Sequence, residues 1–169
     1  MELFHAIHTR RSIRKYTAHP VSDADIRKTI EAAMMAPSAG NAQPWQFVVV
    51  CDRKKLDAVK NINPFAKMAD EAPLGILVCG DLGLEKYEGF WVQDCAAAVQ
   101  NLLLAAHGLG LGAVWTGIYP KEERVKGFGE LFALPEKVIP LAFAVIGYPD
   151  QEIPSENRYK ADRVHYDQW

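Results

Sequence analysis

The stretch RRSIRKY, from Arg10 to Tyr16, is the feature around which the rest of this sequence can be organised. It sets four cations beside one hydroxyl group: Arg10, Arg11, Arg14 and Lys15 surround Ser12. Such a cluster repels itself unless an anion lies among the cationic groups. The segment therefore fits a phosphate-binding site, although a solvated basic face or a nucleic-acid patch would have the same composition.

The composition of the whole chain argues against a polyanion-binding protein. The 169 residues are 49% hydrophobic and include 19 basic and 21 acidic side chains, for a formal net charge of -2. A domain that binds nucleic acid usually has a large positive excess, so no nucleic-acid partner is expected. The length and the hydrophobic content suit one domain with a buried core.

The sequence predicts a cytoplasmic protein without a membrane partner or a metal site. The N-terminus lacks the apolar core of a signal peptide, and the apolar stretches are too short or too polar to span a bilayer. Three cysteines, Cys51, Cys79 and Cys95, lie in apolar runs without CxxC spacing, which predicts buried free thiols. The scattered histidines have no zinc-site spacing.

Two predicted helices flank the basic segment. Residues 2–9 place Leu3, Phe4 and Ile7 on one side of a short helix that ends at the cations. Residues 16–20 cannot continue that helix, because the residue before a proline is held extended. Ser22 then provides an N-cap for a second helix that we expect to run to about Ala36.

The loop PSAGNAQPWQF, residues 37–47, joins the second helix to a predicted buried strand over residues 46–51. Two prolines, a glycine, a serine and an asparagine in so short a stretch indicate a shaped loop with many hydrogen-bonding groups. The loop could therefore contact a ligand, but an ordinary helix-to-strand connection remains the alternative.

The longest helical run extends from about Glu88 to His107 and predicts a central core helix that could also form a dimer contact. The glycines of GLGLG follow this helix and precede a strand, so they predict a C-cap and a tight turn instead of a dinucleotide-binding loop. The next segment, residues 113–120, is either a binding edge for a planar ligand or a core strand that ends in glycine.

The remaining elements complete a single domain over residues 1–169. Residues 74–79 and 138–147 predict two more buried strands, and a helix is expected to begin at Pro120. The polar tail, about residues 150–169, retains Arg158, Lys160 and several aromatic residues. Because disordered tails seldom keep such aromatics, we expect the tail to pack on the body or on a partner subunit and to bring a cation to a site.

The chemistry suggested by these residues is that of a bound cofactor. No nucleophile with a nearby base, no HExxH, no GxSxG and no glycine-lysine phosphate loop is present. A protein equipped to hold an anion and a flat ring, but poor in acid, base and nucleophile motifs, would take its reactivity from a cofactor. This combination points to a flavin.

Four segments together resemble the nitroreductase family of FMN-dependent oxidoreductases. They are RRSIRKY, the PSAGNAQPW loop that begins about twenty residues later, GLGLGAVWTG after the long helix, and the arginine-containing tail. Their order and rough spacing match over nearly the whole chain. The sequence is similar to a short member of the family, without the inserted helices that some members carry over the substrate cavity.

The resemblance implies an α+β fold, with a mixed central sheet flanked by helices, in an intertwined homodimer that holds two FMN molecules at its interface. The FMN phosphate and ribityl chain would be held by Arg10, Arg11, Ser12 and Arg14, with Arg158 and Lys160 returning from the tail. The partner's flavin would be reached by Pro37, Ser38, Ala39, Asn41 and Gln43. The isoalloxazine would lie against Val114, Trp115, Thr116 and Gly117, where a backbone N–H near N5 favours the reduced flavin. Asn63 lies where the match is too loose for an assignment.

The resemblance also implies a reaction. A hydride would pass from NADH or NADPH to flavin N5, and then, in a ping-pong cycle, to a small acceptor such as a nitroaromatic or a quinone. FMN would carry the chemistry, so no catalytic side chain is assigned. Two alternatives stay open: another flavin reaction on the same scaffold, such as reductive dehalogenation, enone reduction or flavin fragmentation, and a non-enzymatic module that binds a phosphate or nucleic acid.

Overall fold

Five α-helices and four β-strands make up the fold in the computed structural model, which describes residues 1–169. In chain order they are α1 (Leu3–Thr9), α2 (Asp23–Met34), β1 (Trp45–Val50), α3 (Arg53–Ile62), β2 (Leu74–Asp81), α4 (Trp91–Gly108), β3 (Gly112–Gly117), α5 (Glu122–Phe132) and β4 (Val138–Gly147). Short 3-10 turns occupy Ala39–Asn41, Pro64–Asp70 and Ala161–Arg163. The expected α+β class is confirmed.

The strands form one sheet in the order β1-β2-β4-β3, and all three ladders are antiparallel. The expectation of a mixed sheet is therefore wrong, because every ladder runs antiparallel. The one parallel pairing at this sheet is an isolated bridge between Ser12 and Ala113, outside the named strands. That bridge attaches the basic segment to the outer edge of β3. Because β3 is an edge strand, its remaining outer edge lies next to the basic segment and is open for contacts.

Helices cover both faces of the sheet. Side chains alternate along β2, so Ile76 and Val78 pack into one core with α2 and α4, while Leu77 and Cys79 pack into a second core with α3 and α5. Every residue of β2 before Asp81 is buried, as expected for a central strand with helices on both sides. The central position predicted for α4 is confirmed by the fully buried Cys95, Val99 and Leu102.

Two predictions about burial are wrong in detail. The strand predicted at residues 46–51 is observed as β1, but it pairs only with β2, and Gln46 and Val49 are exposed because no second strand covers that edge. Cys51 follows this edge strand and is exposed as well, whereas the thiols of Cys79 and Cys95 are buried as expected. Burial raises the pKa of each of these two thiols to about 12.

Several helix boundaries also differ from the predicted ones. Ser22 accepts a hydrogen bond from Asp25 N at 3.1 Å, as predicted for an N-cap, but α2 ends at Met34, before Ala36. The long helix α4 begins at Trp91 because residues 82–90 form turns. Pro120 precedes α5, whose N-cap is Lys121. None of the helices is long and apolar enough to cross a membrane.

The predicted apolar side of α1 faces outward. Leu3 is 63% exposed and Phe4 67%, although the short helix itself forms as predicted and Glu2 caps it with two backbone hydrogen bonds. Next to this side lies an apolar groove of about 490 Å³ between α1, α2 and α4, lined mainly by small and aliphatic residues that include Ala32, Met35 and Leu104. An outward apolar surface of this kind is typical of a protein-protein contact.

Candidate functional site

The basic segment is anchored to β3 by backbone contacts. Ile13 N donates to Ala113 O at 3.0 Å, next to the bridge between Ser12 and Ala113. The close approach requires Gly112, because a Cβ atom at that position would lie 2.7 Å from Ile13 Cβ. Ile13 is buried by this contact, whereas Ser12 is half-buried and Arg14 is exposed.

Substitution of Gly112 by alanine is expected to lower the free energy of unfolding by about 1–3 kcal/mol, since the added methyl group must displace Ile13 and the segment that carries the cations. Urea denaturation measures this change. The control is Gly129→Ala in α5, where an added Cβ meets nothing within 4 Å and a helical alanine should keep or raise stability. Equal stability of the two variants would contradict the proposed close approach.

The end of α1 is fixed to the end of α4 by a side-chain hydrogen bond. Thr9 Oγ1 donates to His5 O at 2.7 Å, so its proton is already used and it accepts Nε2–H of His107 at 2.8 Å. Burial, followed by the charge of Arg10, lowers the pKa of His107. The imidazole is therefore neutral near pH 7 and adds no further positive charge to the basic segment.

The cations of the segment lie close together without a neutralising carboxylate. Burial, and then the positive charges of Arg158 and Arg11, lower the pKa of Arg10, which indicates that the predicted tail arginine does lie near the segment. No salt bridge involves Arg10, Arg11 or Arg14. Arg158 pairs with Glu156 at 3.3 Å, where both side chains are mostly exposed. The cluster is thus a cationic site without an anionic partner of its own.

Arg11 contacts the backbone more than its arginine neighbours do. Its Nε donates to Pro154 O at 2.9 Å, and its Nη1 donates to His8 O at 3.1 Å and to Arg10 O at 2.7 Å. Its Nη2 is buried and has no hydrogen-bond partner. Arg11 therefore ties the start of the tail to the end of α1 and retains one nitrogen for a ligand. A cavity of about 600 Å³ adjoins it.

Strand β3 leads from the basic segment to Gly117. Gly117 lies four positions after Ala113, which corresponds to about 13 Å along a strand. Val114 and Thr116 are buried, and Thr116 Oγ1 donates to Phe143 O at 2.8 Å, so the side chains of this pair are turned into the core. Trp115 and Gly117 are exposed. A ligand along this edge could therefore touch Trp115 and Gly117 directly, whereas Val114 and Thr116 turn their side chains into the core and pair their backbone with β4.

Gly117 O accepts two hydrogen bonds from side chains. Asn63, which is fully buried, donates through Nδ2 at 3.2 Å, and its Oδ1 accepts Phe65 N at 3.1 Å. Arg124 donates through Nη1 at 3.0 Å, and its guanidinium lies 5.2 Å from the Phe65 ring. Asn63, for which the sequence match is too loose to assign a role, therefore lies at the far end of the β3 edge.

The loop of residues 37–43 has a constrained conformation. Asn41 and Gln43 have φ values of 53° and 51°, an unfavourable region for residues other than glycine. Gln43 N donates to Ser38 Oγ at 3.0 Å, and Gln43 Nε2 donates to Asn41 Oδ1 at 2.9 Å. Of the predicted loop residues, Ser38 and Ala39 are half-buried, while Pro37, Asn41 and Gln43 are exposed. An ordinary connection would not need this conformation.

The loop and the basic segment lie near opposite ends of α4 within one chain. Ala39 N donates to Asp94 Oδ1 at 2.9 Å in the first turn of α4, whereas the basic segment lies beside His107 in the last turn. His107 lies thirteen positions after Asp94, or about 20 Å along the helix axis. The two predicted halves of the site are therefore not brought together by a single subunit.

The tail contacts the body only at its start. Arg14 N donates to Gln151 Oε1 at 3.2 Å, and Arg11 Nε donates to Pro154 O at 2.9 Å. Every residue from 155 to 169 is exposed, including Lys160, which forms no salt bridge. Packing of this part of the tail on a partner subunit stays a prediction.

A sequence model described as "Nitroreductase family" matches residues 7–73 and 63–148. The chain belongs to the nitroreductase family. The family expected from the four sequence segments is thereby confirmed, and the match extends over most of the residues that build the basic segment, the loop and the β3 edge.

Similar proteins support the same assignment. A protein of Methanothermobacter thermautotrophicus, provisionally named NADH dehydrogenase/NAD(P)H nitroreductase, is 48% identical to this nitroreductase-family chain over 169 residues, covering 100% of this chain and 88% of the relative. The crystal structure of a similarly named protein from Parabacteroides distasonis has a TM-score of 0.95 at 42% identity and covers 98% of both chains. A provisionally named nitroreductase of Desulfovibrio desulfuricans, in complex with FMN, has a TM-score of 0.86 at 35% identity, covering 100% of this chain and 99% of that one. These names agree with the expected oxidoreductase class.

Two residues of the site were missed from the sequence. Asp94 lies within the apolar stripe of α4, one residue before the buried Cys95, and it is only 6% exposed. A carboxylate on a buried face is itself a signal, because burial of an unpaired charge is costly. Arg124 lies on a helix with an ordinary amphipathic pattern, and nothing local in the sequence indicates that it contacts Gly117.

Proposed function

We propose that this nitroreductase-family chain is an FMN-dependent oxidoreductase that transfers hydride from NADH or NADPH to a small acceptor, such as a nitroaromatic or a quinone, at the interface of a homodimer. The observation that carries the proposal is the cationic cluster without a carboxylate partner, placed at one end of an open strand edge that leads to Gly117. Cations at one end and an open edge beyond them suit a ligand with a phosphate at one end and a flat ring at the other.

The phosphate end of FMN fits the basic segment. Arg10 has no anionic partner, is half-buried, and lies near Arg158, so a phosphate dianion would relieve the repulsion between their charges. Ser12 and Arg14 come after Arg10 on the same segment, and Lys160 lies two positions after Arg158 on the tail. Arg11 supplies its unpartnered Nη2 and otherwise holds Pro154. These residues bind and orient the group and take no part in bond making.

The ring end of FMN fits the outer edge of β3. Gly117 has no Cβ and nothing lies within 4 Å of the position that a Cβ would occupy, so a planar ligand can approach the backbone there. Asn63 and Arg124 fix Gly117 through its carbonyl. When bound, the flavin supplies hydride acceptance and donation, which is why the chain needs no acid, base or nucleophile motif of its own.

The second half of the site would come from the partner subunit. The loop of residues 37–43 lies about 20 Å from the basic segment of its own chain along α4. The outward apolar side of α1 and the adjacent groove provide a surface on which two copies can associate. Association through this surface would place the loop of one chain beside the flavin held by the other, and it would shelter the ring from water.

Spectroscopic titration of the flavin-free chain with FMN tests the proposal. The expected result is saturable binding at an equimolar ratio, a changed flavin spectrum, and anaerobic reduction by NADH or NADPH that a nitroaromatic or a quinone reverses. Riboflavin, which lacks the phosphate, should bind much more weakly. Absence of FMN binding would contradict the proposed cofactor, and binding without reduction by either nicotinamide would contradict the proposed reaction.

A further inference from the structure

Asp94 is a buried carboxylate that no step of the proposed reaction uses. It is 6% exposed and lies in the first turn of α4, whose N-cap residue, Phe90, forms no side-chain capping hydrogen bond. Its Oδ1 accepts the backbone N–H of Ala39 at 2.9 Å. A buried carboxylate requires compensating hydrogen bonds, and here the identified donor belongs to the loop at residues 37–43.

The loop has few other attachments to the body of the chain. Its internal hydrogen bonds connect Ser38, Asn41 and Gln43 to one another. Only Lys86, which donates from Nζ to Gly40 O at 2.7 Å, provides a second side-chain hydrogen bond from outside the loop, and this lysine is exposed. The buried contact with Asp94 is therefore the more protected of the two.

The loop conformation needs such a support. Gly40, Asn41 and Gln43 all have positive φ, at 58°, 53° and 51°. Residues other than glycine persist in this region only when the surrounding structure holds them there. Ala39 immediately precedes these residues, so fixing its N–H sets the position from which the turn starts.

We propose that Asp94 is a positioning residue of the flavin site: its carboxylate holds Ala39 N–H and so fixes the loop in the form that reaches the flavin of the partner subunit. The inference rests on the proposed function, in which the loop contacts FMN. It adds a role for a residue on the central helix that does not touch the cofactor. A helix N-terminus also favours a negative charge, so the test must separate the acceptor atom from the charge.

The hydrogen bond can be removed from either side. Asp94→Ala removes the acceptor and the charge, while Asp94→Asn keeps an acceptor oxygen and loses only the charge. Ala39→Pro removes the donor and leaves Asp94 in place. Proline is compatible with this position because Ala39 is the first residue of a 3-10 turn and Ser38 before it is extended, with φ -143° and ψ 153°.

FMN affinity and amide hydrogen exchange are the two measurements. Asp94→Ala and Ala39→Pro are each expected to weaken FMN binding about 10-fold. The double variant should bind FMN as tightly as either single variant, because both substitutions remove the same hydrogen bond. Asp94→Asn should bind FMN within about 3-fold of the wild type. In flavin-free protein, the Ala39 amide should exchange at least about 10-fold faster in Asp94→Ala than in wild type or Asp94→Asn. Should Asp94→Ala fail to fold, Ala39→Pro still tests the effect of the hydrogen bond on FMN affinity, and Asp94→Asn still tests the effect of the charge.

Three results would overturn the inference. Unchanged FMN affinity in Asp94→Ala and Ala39→Pro would separate the hydrogen bond from the flavin site, and equal losses in Asp94→Ala and Asp94→Asn would assign the effect to the helix charge. Additive losses in the double variant would indicate independent effects. In each case wild-type FMN binding stays intact, whereas a wild-type chain that binds no FMN would overturn the proposed function and this inference with it.

Discussion

Replacement of Arg10 by glutamate is expected to lower the affinity for FMN by about 100-fold or more. A hydrogen bond between charged groups contributes about 1.5–3 kcal/mol, which is about 10-fold to 100-fold in affinity, and a carboxylate would in addition repel the phosphate. Arg10→Ala should lower the affinity for FMN by less than Arg10→Glu does, because alanine removes the hydrogen bond without adding repulsion. Arg10 is a half-buried cation of the cluster and its guanidinium forms no salt bridge in the chain, so no carboxylate competes with the phosphate for it.

Arg10→Ala should leave the fold of the flavin-free chain intact. Arg10→Ala removes the repulsion from Arg158 and Arg11, so thermal unfolding without FMN should occur at the same or a higher temperature. Titrations with FMN and with riboflavin separate phosphate binding from ring binding, since only the FMN affinity should fall. Arg27→Glu is the matched control, because this arginine is exposed on α2 and pairs only with Glu31. Equal losses for FMN and riboflavin would contradict the assignment of Arg10 to the phosphate.

Disruption of the dimer is expected to release flavin even though every arginine is intact. Leu3→Glu combined with Leu104→Glu places two carboxylates in the apolar groove between α1, α2 and α4. Burial of such charges at an interface costs several kcal/mol, so the variant should be monomeric at micromolar concentration. Because the monomer lacks the partner's loop, its affinity for FMN should fall by about 100-fold, or about 3 kcal/mol.

Sedimentation velocity and FMN titration of the same samples measure the two effects together. Leu82→Glu provides the control, since Leu82 is a partly exposed leucine, 39% accessible, that lies beyond β2 and outside the groove. This control should remain dimeric and bind FMN as the wild type does. A monomeric groove variant with wild-type FMN affinity would place the whole site within one subunit.

Much of the fold follows from local patterns in the sequence. Ser22 was predicted as an N-cap from its acidic first turn, and the uninterrupted apolar run at residues 138–147 was predicted as a strand; both are observed. The glycines after α4 form a turn as predicted, and Gly110 has a φ of 79°. Such features depend on neighbours in the chain, which is why the sequence alone is sufficient for them.

Features that depend on contacts between distant residues could not be predicted from local sequence patterns. Val49 and Cys51 have the composition of a buried strand, but they are exposed because β1 lies at the sheet edge. The apolar residues predicted on one side of α1 do lie on a helix, but Leu3 and Phe4 are exposed, which the local pattern does not reveal. Which strand occupies an edge, and which apolar side meets another subunit, are set by tertiary and quaternary packing.

The candidate site was predictable where residues cluster in sequence and unpredictable where single residues converge. The composition of the basic segment and of the loop predicts a ligand contact at each, and the structure adds their placement at opposite ends of α4. Asp94 is a carboxylate within the apolar stripe of α4, which indicates a buried partner, but its partner Ala39 lies 55 residues away in the chain and is not recognisable from the sequence. Arg11 was grouped with its neighbours, yet most of its hydrogen-bonding capacity is used by backbone carbonyls.

Mixed dimers test most directly whether the flavin site is shared between subunits. One chain would carry Arg10→Glu and the other Gly40→Val, a loop substitution that places a β-branched residue at a φ of 58° with its Cβ 2.9 Å from Tyr87. The two chains, with different affinity tags, are co-expressed and the heterodimer is purified. Each variant homodimer should bind FMN weakly. We predict that half of the sites in the heterodimer bind FMN with wild-type affinity, because one site receives both intact contributions; a heterodimer without any tight site would contradict a shared site.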